Sequence, residues 1–310
     1  MILTVTLNAA LDVTYIVDAL VPHSSHRVTA AFERAGGKGI NVARVLTTLG
    51  RPAMVTGFAG GPNGRLIRDE LHAARLQDEL VPLKADSRRT VTVVSRADGD
   101  ATVFNQSGPH IEMSEWTDFV ARFTRLVRDA RVVVLSGSLP PGLSSDTYAQ
   151  LIRLAAEAGA ATILDTSGDA LFKGLSAGPS VVKPNAAEIA QVTRNTEPAD
   201  AAAELRGLGA HTVVMSYGPD GLHAIAPQGS WRAAPPERLT GNPTGAGDAC
   251  VAALAAGLAS GETWPTVLRE AVALSAAAVP CPVAGDFDAG LYDQFRTTVS
   301  VESTHAPDTH

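Results

Sequence analysis

A run of small residues that ends in an acid is the segment of this chain best suited to chemistry. Gly241-Asn242-Pro243-Thr244-Gly245-Ala246-Gly247-Asp248 stands directly before a small, helix-prone run from Ala249 to Leu258. Small residues at the start of a helix let an anion approach free backbone N–H groups, and the helix dipole adds partial positive charge. Asp248 could accept a proton from an alcohol while these amides stabilise charge on a transferring phosphoryl group. A glycine turn with a capping aspartate has the same spacing.

A second glycine cluster, Gly36-Gly37-Lys38-Gly39-Ile40-Asn41, precedes a predicted helix that runs to about Leu49 and ends at Gly50. It is not a Walker A loop, because Lys38 is followed by glycine rather than by serine or threonine, and it lacks the spacing of a dinucleotide fingerprint. Lys38 and Asn41 on a tight turn are suited to hydrogen bonding with sugar hydroxyls. A plain strand-to-helix turn is the alternative.

A third polar segment, Lys183-Pro184-Asn185 with Glu188, follows a short apolar run that predicts a buried strand. Asn185 and Glu188 are three residues apart, so on a helical turn they face the same way. A carboxylate and an amide placed in this way could organise a hydrated Mg²⁺ near nucleotide phosphates. Capping of the helix after Pro184 is the alternative, and the spacing by itself favours it.

The elements that must position these residues alternate, from Arg131 onward, between short β-branched runs and alanine-rich helical stretches. Residues 132–135 predict a buried strand, and residues 147–158, with apolar side chains at helical spacing, predict the helix that follows it. Further buried strands are predicted at 162–164, 181–182 and 212–215. This alternation predicts an α/β fold with a mostly parallel central sheet and helices on both faces.

The earlier part of the chain has a different texture. Residues 91–95 and 102–104 are strand-like and flank Asp98-Gly99, a good two-residue hairpin turn. Residues 11–17 and 27–31 alternate in a similar way. These strands do not fit a parallel core, so we predict a small antiparallel β lid, discontinuous in sequence (about 11–34 and 88–106), on a single domain spanning 1–298. Residues 299–310 are polar and unpatterned and predict a loose tail.

Composition disfavours several classes of protein. Hydrophobic residues make up 45% and charged residues 18% of the 310, which is typical of a globular protein. The formal charge of −7 disfavours a nucleic-acid partner, although a few local cations can still hold a phosphate. We see no membrane span and no secretory signal, so we expect a cytoplasmic protein without a membrane partner. Cys250 and Cys281 give neither a disulfide framework nor the spacing of a zinc site.

Together the three polar segments resemble the PfkB (ribokinase-like) family of carbohydrate kinases. Residues 36–43 resemble the first signature of that family, residues 242–248 resemble the second, and Asn185-Ala186-Ala187-Glu188 resembles its N-x-x-E motif. They occur in the family's order, and the resemblance extends from about residue 3 to residue 291. Residues 7–12 and 136–140 resemble the branch of tagatose-6-phosphate kinases and 1-phosphofructokinases.

The resemblance implies a ribokinase-like fold and an ATP-dependent kinase that uses Mg²⁺. It implies that Asp248 is the general base and that the amides of Gly245, Ala246 and Gly247 form an anion hole. The substrate contacts that it implies come from Asp12, Gly37, Lys38, Asn41, Arg89 and Ser138. The nucleotide contacts that it implies come from Lys183, Asn185, Glu188, Ser216 and Gly218, with Asn185 and Glu188 acting on the metal through water. Such phosphoryl transfer proceeds by positioning and electrostatics, without a covalent enzyme intermediate.

The predicted lid departs from that branch where a substrate phosphate would bind. The branch commonly reads Arg-x-Asn-x-Lys, and with Arg89 taken as the arginine, Val93 stands where the lysine is expected. Gln106-Ser107 similarly replaces the more usual Glu-Pro. Loss of a cation should weaken the binding of a dianion, because charge-assisted contacts are the strong ones.

Three functions therefore remain open. The leading prediction is a kinase that phosphorylates a ketohexose phosphate, such as fructose 1-phosphate or tagatose 6-phosphate. A kinase of an unphosphorylated sugar or nucleoside is the second, and Val93 favours it. The third is a regulatory protein that binds sugar and nucleotide without catalysis, against which the intact Asp248 argues. A homodimer through the lid is also expected, because lid strands leave edges that another subunit can cover.

Overall fold

The computed structural model describes residues 1–193, 195 and 197–304. Its strands are β1 (Ile2–Thr6), β2 (Ala10–Val17), β3 (Ala30–Gly36), β4 (Ala53–Gly60), β5 (Gln77–Leu83), β6 (Arg88–Ser95), β7 (Ala101–Asn105), β8 (Val132–Ser136), β9 (Ala161–Asp165), β10 (Val181–Val182), β11 (Thr212–Ser216), β12 (Leu222–Ala226), β13 (Gly229–Ala233) and β14 (Val301–Thr304). Its α-helices are α1 (Lys38–Thr48), α2 (Gly61–Ala73), α3 (Met113–Leu126), α4 (Thr147–Glu157), α5 (Gly168–Leu175), α6 (Ala186–Val192), α7 (Pro198–Gly207), α8 (Ala246–Ser260), α9 (Trp264–Ala278) and α10 (Ala289–Thr298).

The central sheet has ten strands in the order β14-β13-β12-β11-β10-β9-β8-β1-β4-β5. Strands from β11 to β5 pair in parallel, and β12, β13 and β14 extend one edge with antiparallel pairs. Val132 and Val134 of β8 pack into the core on one face, whereas Val133 and Leu135 pack into the core on the other. A strand buried on both faces reads as a continuous apolar run, which is why the sequence predicted it.

Helices cover both faces of this sheet. The core on one face receives side chains from α1, α2, α8, α9 and α10, and the core on the other receives them from α3, α4, α5, α6 and α7. The predicted α/β architecture, a mostly parallel sheet with helices on both faces, is confirmed. Within the described residues, no helix combines the length and the apolar character needed to cross a membrane.

A second sheet of four strands, in the order β3-β2-β6-β7, forms the lid. Its outer pairs, β2–β3 and β6–β7, are antiparallel as predicted, but its central pair β2–β6 is parallel. The chain returns to β6 from β5, a strand of the main sheet, and not through a hairpin from β2 or β3. The strand predicted at 27–31 begins at Ala30 and continues to Gly36, because it pairs with β2 as far as Ala10.

The prediction of a loose tail at residues 299–310 is wrong for residues 301–304. Val301–Thr304 forms β14, which pairs antiparallel with β13 from Ser230↔Thr304 to Ala233↔Val301. The strand covers backbone groups that β13 would otherwise expose at the sheet edge. Four mostly polar residues carry too little alternation to be recognised as a strand. Residues 305–310 of the predicted tail lie outside the described residues.

The carboxyl ends of the parallel strands meet beneath the lid. Thr6, Ser136 and Ser216 are the last residues of β1, β8 and β11, and all line one cavity. Polar side chains at this edge are free to face a ligand, because the sheet ends there and the chain turns into loops and helices. Such crevices are where open α/β sheets bind ligands.

Candidate active site

A cavity of about 1780 Å³ lies between the lid and the carboxyl edge of the central sheet. A site for one small ligand typically holds roughly 300–1,000 Å³, so this cavity has room for two ligands side by side. All the predicted site residues except Arg89 line it. They are Asp12, Gly37, Lys38, Asn41, Ser138, Lys183, Asn185, Glu188, Ser216, Gly218, Gly245, Ala246, Gly247 and Asp248.

The N-terminus of α8 opens into the cavity. Gly245, its N-cap residue, has a left-handed φ of 95°, and a Cβ at this position would lie 2.8 Å from Ala284 Cα. Glycine is therefore required both by backbone conformation and by close packing. The chain turns into α8 tightly enough to leave its first amides facing the cavity.

The amides of this first turn differ in their availability. The amide of Ala246, which was expected in the anion hole, donates to the Pro243 carbonyl at 3.2 Å. Helix geometry leaves the amides of Gly247 and Asp248 without an intrahelical acceptor. A Cβ at Gly247 would lie 3.8 Å from Lys183 Nζ, so an ammonium group lies beside the same turn. These donors and this cation are well placed to hold one transferring anion.

Asp248 lies in this turn with its side chain almost fully buried, 6% exposed. Its Oδ2 accepts a hydrogen bond of 2.8 Å from Asn41 Nδ2 on α1. Burial raises the pKa of Asp248 to about 6, although Lys38, the Asn41 hydrogen bond and Lys183 each lower it. Its carboxylate is thus ionised at neutral pH and is a better proton acceptor than an ordinary aspartate.

An ion cluster that the sequence did not predict lies close enough to this base to influence its charge. Asp165 ends β9 and is 1% exposed, and its carboxylate is 3.2 Å from Lys38 Nζ and 3.1 Å from Lys183 Nζ. Ser136 Oγ also donates to it at 3.0 Å. Burial alone would raise the pKa of Asp165, but the two ammonium groups outweigh burial and lower it to about 2. Its position at the carboxyl end of a predicted parallel strand was the signal that could have identified it.

In return, Asp165 keeps both lysines charged. It raises the pKa of Lys38 more than burial lowers it. Burial, the largest single effect, lowers the pKa of Lys183, but the charge and hydrogen bond of Asp165 together with Cys250 and Glu188 raise it further, so the net shift is upward. The cluster therefore carries one net positive charge next to the first turn of α8, with Asp165 and Lys183 buried and the Lys38 side chain 40% exposed.

The lid side of the cavity is built around Asp12 on β2. Burial raises the pKa of Asp12 to about 6, against a hydrogen bond from Thr90 and the charges of Arg88 and Arg34. A Cβ at Gly36 would fall 1.9 Å from Asp12 Oδ2, so glycine lets this carboxylate lie against the neighbouring backbone. A carboxylate of this kind is an acceptor for substrate hydroxyls.

The structure differs from the sequence prediction at Arg89. Its Nε donates to Asn63 Oδ1 at 3.0 Å, on the face of β6 that points away from the cavity. Because side chains alternate along a strand, Arg88, Thr90 and Thr92 are the residues of β6 that line the cavity. Two adjacent arginines fit the sequence pattern equally well, and the structure places Arg88 rather than Arg89 in the cavity wall.

Taking Arg88 instead of Arg89 as the arginine of the Arg-x-Asn-x-Lys pattern changes which residue stands in place of the expected lysine. Counting from Arg88, the Arg-x-Asn-x-Lys pattern falls on Arg88, Thr90 and Thr92, and Val93 faces away from the cavity. Arg88 Nε donates to the Asn8 carbonyl at 3.0 Å, and its Nη1 donates to Thr90 Oγ1 at 3.1 Å. Arg88 is thus already oriented in the cavity wall, with further N–H groups available.

The other departure, Gln106-Ser107, does lie in the cavity wall. Gln106 Oε1 accepts a hydrogen bond of 2.9 Å from the Arg89 amide. It therefore joins the beginning of β6 to the loop after β7. The glutamine fixes the edge of the lid near Arg88.

Residues 4–288 of the chain match the model of the pfkB family of carbohydrate kinases. The chain belongs to this family. This chain is similar to the tagatose-6-phosphate kinase of Staphylococcus epidermidis, with 34% identity over 280 residues that cover 87% of this chain and 89% of that protein.

Solved structures agree with this assignment. The tetrameric inhibited form of phosphofructokinase-2 from Escherichia coli matches with a TM-score of 0.88 and 30% identity, covering 96% of this chain and 98% of that chain. The same enzyme in complex with fructose 6-phosphate matches with a TM-score of 0.86 and 31% identity over the same shares. The predicted ribokinase-like fold and the predicted carbohydrate kinase activity are confirmed.

The reaction of the family kinase uses ATP with Mg²⁺, and the cavity residues fit both. Asn185 and Glu188 form a capping box at the start of α6, where Asn185 Oδ1 accepts from the Glu188 amide at 2.8 Å and Glu188 Oε2 accepts from the Asn185 amide at 2.9 Å. The capping alternative is therefore real, yet both side chains line the cavity. The capping box uses only Oε2 of Glu188, so its Oε1 could accept a hydrogen bond from a water bound to the metal.

The Glu188 carboxylate and the Asn185 amide at the cavity wall suit Mg²⁺, which keeps several waters and takes one or two carboxylates together with substrate phosphates. Ser216 and Gly218 also line the cavity, as do Val272 and Ala276 of α9. Polar groups and apolar side chains in one cavity are suited to a nucleoside.

Proposed function

We propose that this family kinase transfers the terminal phosphoryl group of ATP to a hydroxyl of a ketohexose phosphate, with Asp248 as the general base. The observation that carries the proposal is the buried Asp248 carboxylate at the N-terminus of α8, held by Asn41 at 2.8 Å. It lines the same cavity as a lid wall suited to a sugar and a cationic turn suited to a phosphoryl group. The reaction class requires these three parts together.

In this proposal the protein acts by proton removal and charge stabilisation. Asp248 accepts the proton of the attacking hydroxyl, and its pKa of about 6 keeps it ionised at neutral pH. The amides of Gly247 and Asp248, with Lys183, stabilise charge on the transferring group. Mg²⁺ bound with ATP neutralises phosphate charge, and Asn185 and Glu188 are the residues that would hold it through water.

The substrate assignment rests on Arg88 and on the relatives. Arg88 is the cation that the lid presents in the cavity wall, next to Asp12. A guanidinium group suits the binding of a substrate phosphate, because its planar fork makes paired charge-assisted hydrogen bonds. The relatives named above are a tagatose-6-phosphate kinase and a phosphofructokinase, and both names specify a ketohexose phosphate.

Thr92 favours a second candidate, a kinase of an unphosphorylated sugar or nucleoside. It stands in the cavity wall where the branch commonly has a lysine, so the lid offers one cation fewer to a phosphate dianion. Coupled ADP-release assays with MgATP should compare tagatose 6-phosphate, fructose 1-phosphate and fructose 6-phosphate with free tagatose, fructose, ribose and adenosine. We expect a higher kcat/KM for one of the phosphates. A higher value for a free substrate would transfer the assignment to the second candidate.

We also infer a homodimer formed through the lid. Phe32, Thr14, Thr92 and Val103 form one row across the four lid strands, on the face whose Thr92 and Val103 also border the cavity. Phe32 is 45% exposed and Val103 is 43% exposed, so the row offers apolar surface to a second copy of the chain. The measurement is the molar mass by light scattering of the wild type and of Phe32→Glu. A monomeric wild type would contradict the inference.

A further inference from the structure

Arg34 joins the lid to a loop of the main domain. It lies on β3, and its Nη1 donates to the Ala284 carbonyl at 3.2 Å while its Nη2 forms an ion pair with Asp286 Oδ1 at 2.8 Å. Its side chain is 22% exposed, so these bonds are partly shielded from water. One guanidinium group therefore fixes both the backbone and a side chain of the loop 284–286.

This loop packs against both groups that position Asp248. A Cβ at Gly245, the N-cap residue of α8, would lie 2.8 Å from Ala284 Cα. A Cβ at Gly285 would lie 3.3 Å from Asn41 Oδ1 and 3.4 Å from Asn41 Cα. Asn41 is the residue that donates to Asp248. A displacement of the loop would therefore disturb the N-terminus of α8 and the hydrogen bond to the base together.

The lid end of this connection is also fixed. Arg34 pairs directly with Asp12 in the register of β2 and β3, and Asp12 is the carboxylate at the lid wall of the cavity. Glu70 of α2 accepts hydrogen bonds from Arg44 Nη2 at 2.6 Å and from the Ala35 amide at 3.3 Å. The strand that carries Arg34 is thereby tied to α1, the helix that carries Asn41.

We propose that Arg34 is a positioning residue for the phosphoryl-transfer step. It holds the loop 284–286 against Gly245 and Asn41, so that Asp248 and the first amides of α8 are correctly placed when the lid strand beside Asp12 covers the cavity. The proposal rests on the proposed role of Asp248. Arg34 does not line the main cavity, so its effect is exerted through other residues.

The kinetic test uses Arg34→Ala, Arg34→Lys and, as a matched control, Arg96→Ala. Arg96 is an exposed lid arginine outside the cavity wall. We expect Arg34→Ala to lower kcat by on the order of 10–100-fold with a smaller change in the KM for ATP, because small misplacements of a catalytic group are costly. Arg34→Lys should recover part of the loss, since it keeps the charge facing Asp286. Arg96→Ala should stay within about twofold of the wild type.

A double-mutant cycle separates positioning from general destabilisation. If Arg34 acts through Asn41 and Asp248, the Arg34→Ala change should lower kcat less in an Asn41→Ala background than in the wild type. Equal factors in the two backgrounds would overturn the proposal. An unchanged kcat in Arg34→Ala, with an active wild type, would also overturn it and would leave the proposed function intact.

A second measurement does not depend on activity. Amide hydrogen exchange should be faster in residues 282–288 and at the beginning of α8 in Arg34→Ala than in Arg96→Ala. Unchanged exchange in both segments would overturn the proposal. If the wild type transferred no phosphate to any substrate of the panel, the proposed function would fail, and the exchange result alone would decide whether Arg34 holds the loop.

Discussion

Asn41 Nδ2 donates a hydrogen bond of 2.8 Å to Asp248 Oδ2, which joins the first helix of the chain to the first turn of α8. The two residues belong to glycine-rich motifs that are 207 positions apart in sequence. In each motif a glycine at the N-cap with positive φ lets the helix begin at the cavity, Gly37 at 109° and Gly245 at 95°. The two motifs therefore build one site, in which one supplies the base and the other orients it.

The hydrogen bond from Asn41 lowers the pKa of Asp248 against the effect of burial. We expect Asn41→Ala to raise this pKa above about 6, so that the acidic limb of the kcat profile moves to higher pH and the rate at pH 7 falls. The pH dependence of kcat for the wild type and the variant measures this. Asn195→Ala, at an exposed position outside the cavity wall, is the control. An acidic limb that does not move would show that Asn41 has no influence on the base.

Burial of the Asp248 carboxylate should also reduce folding stability. The pKa is about 6 in the folded state and 3.8 without burial, so the folded state binds more protons between these values and stability falls as pH rises through this window. This rise in the pKa of Asp248 corresponds to a loss of roughly 3 kcal/mol in folding stability at pH values above both pKa values. Asp248→Asn can still accept from Asn41, so we expect it to be more stable than the wild type by about 1–3 kcal/mol at pH 8.

Urea denaturation at pH 8 and at pH 4 checks this expectation. The advantage of Asp248→Asn should shrink at pH 4, where the folded wild type has a protonated Asp248. An equal difference at both pH values would mean that the charge of Asp248 is not the cause.

Asp165 should be important for stability, because its buried carboxylate is the shared partner of the buried Lys183 ammonium and of the partly exposed Lys38 ammonium. Asp165→Asn removes the counter-ion of the buried Lys183, and breaking a buried pair in this way costs about 3–5 kcal/mol. Denaturant unfolding at pH 7 measures the loss. Asp169→Asn, an exposed aspartate four residues away, should change stability by less than about 0.5 kcal/mol. Similar losses in both variants would contradict the role of the ion cluster.

Arg88 and Arg89 form a matched pair for testing the substrate phosphate. Arg88→Ala removes the lid cation from the cavity wall, so we expect the KM for the sugar phosphate to rise by about tenfold or more. Arg89→Ala removes a neighbouring charge that faces Asn63, and its KM should change by less than about threefold. Steady-state kinetics of the two variants show which of the two arginines binds the substrate phosphate. A larger increase in this KM for Arg89→Ala than for Arg88→Ala would support Arg89, the residue predicted from the sequence, as the phosphate ligand.

The sequence predicted those features that depend on local pattern. The glycine motifs identified Asp248, Lys38 and Asn41, because a helix that begins at a ligand needs small residues in its first turn. Buried parallel strands such as 132–135 were visible as continuous apolar runs. Together with the order of the motifs, these patterns were enough for the family and the fold.

The features that were missed depend on the orientation of side chains or on pairing between distant strands. The choice between Arg88 and Arg89 is decided by which face of β6 meets the cavity, and two adjacent arginines fit either face. Asp165 has no motif of its own, since its role comes from two lysines that are distant in sequence. β14 is defined by the open edge of β13 and not by its own four residues.

The most direct measurement is the steady-state kinetics of Asp248→Asn beside the wild type, with MgATP and the sugar phosphate that the wild type prefers. If Asp248 is the general base, kcat should fall by on the order of 10²–10⁴-fold while the KM for ATP stays within a few-fold, because the variant keeps the shape of the site. A folded Asp248→Asn protein that retained more than about a tenth of the wild-type kcat would contradict the assignment of the base.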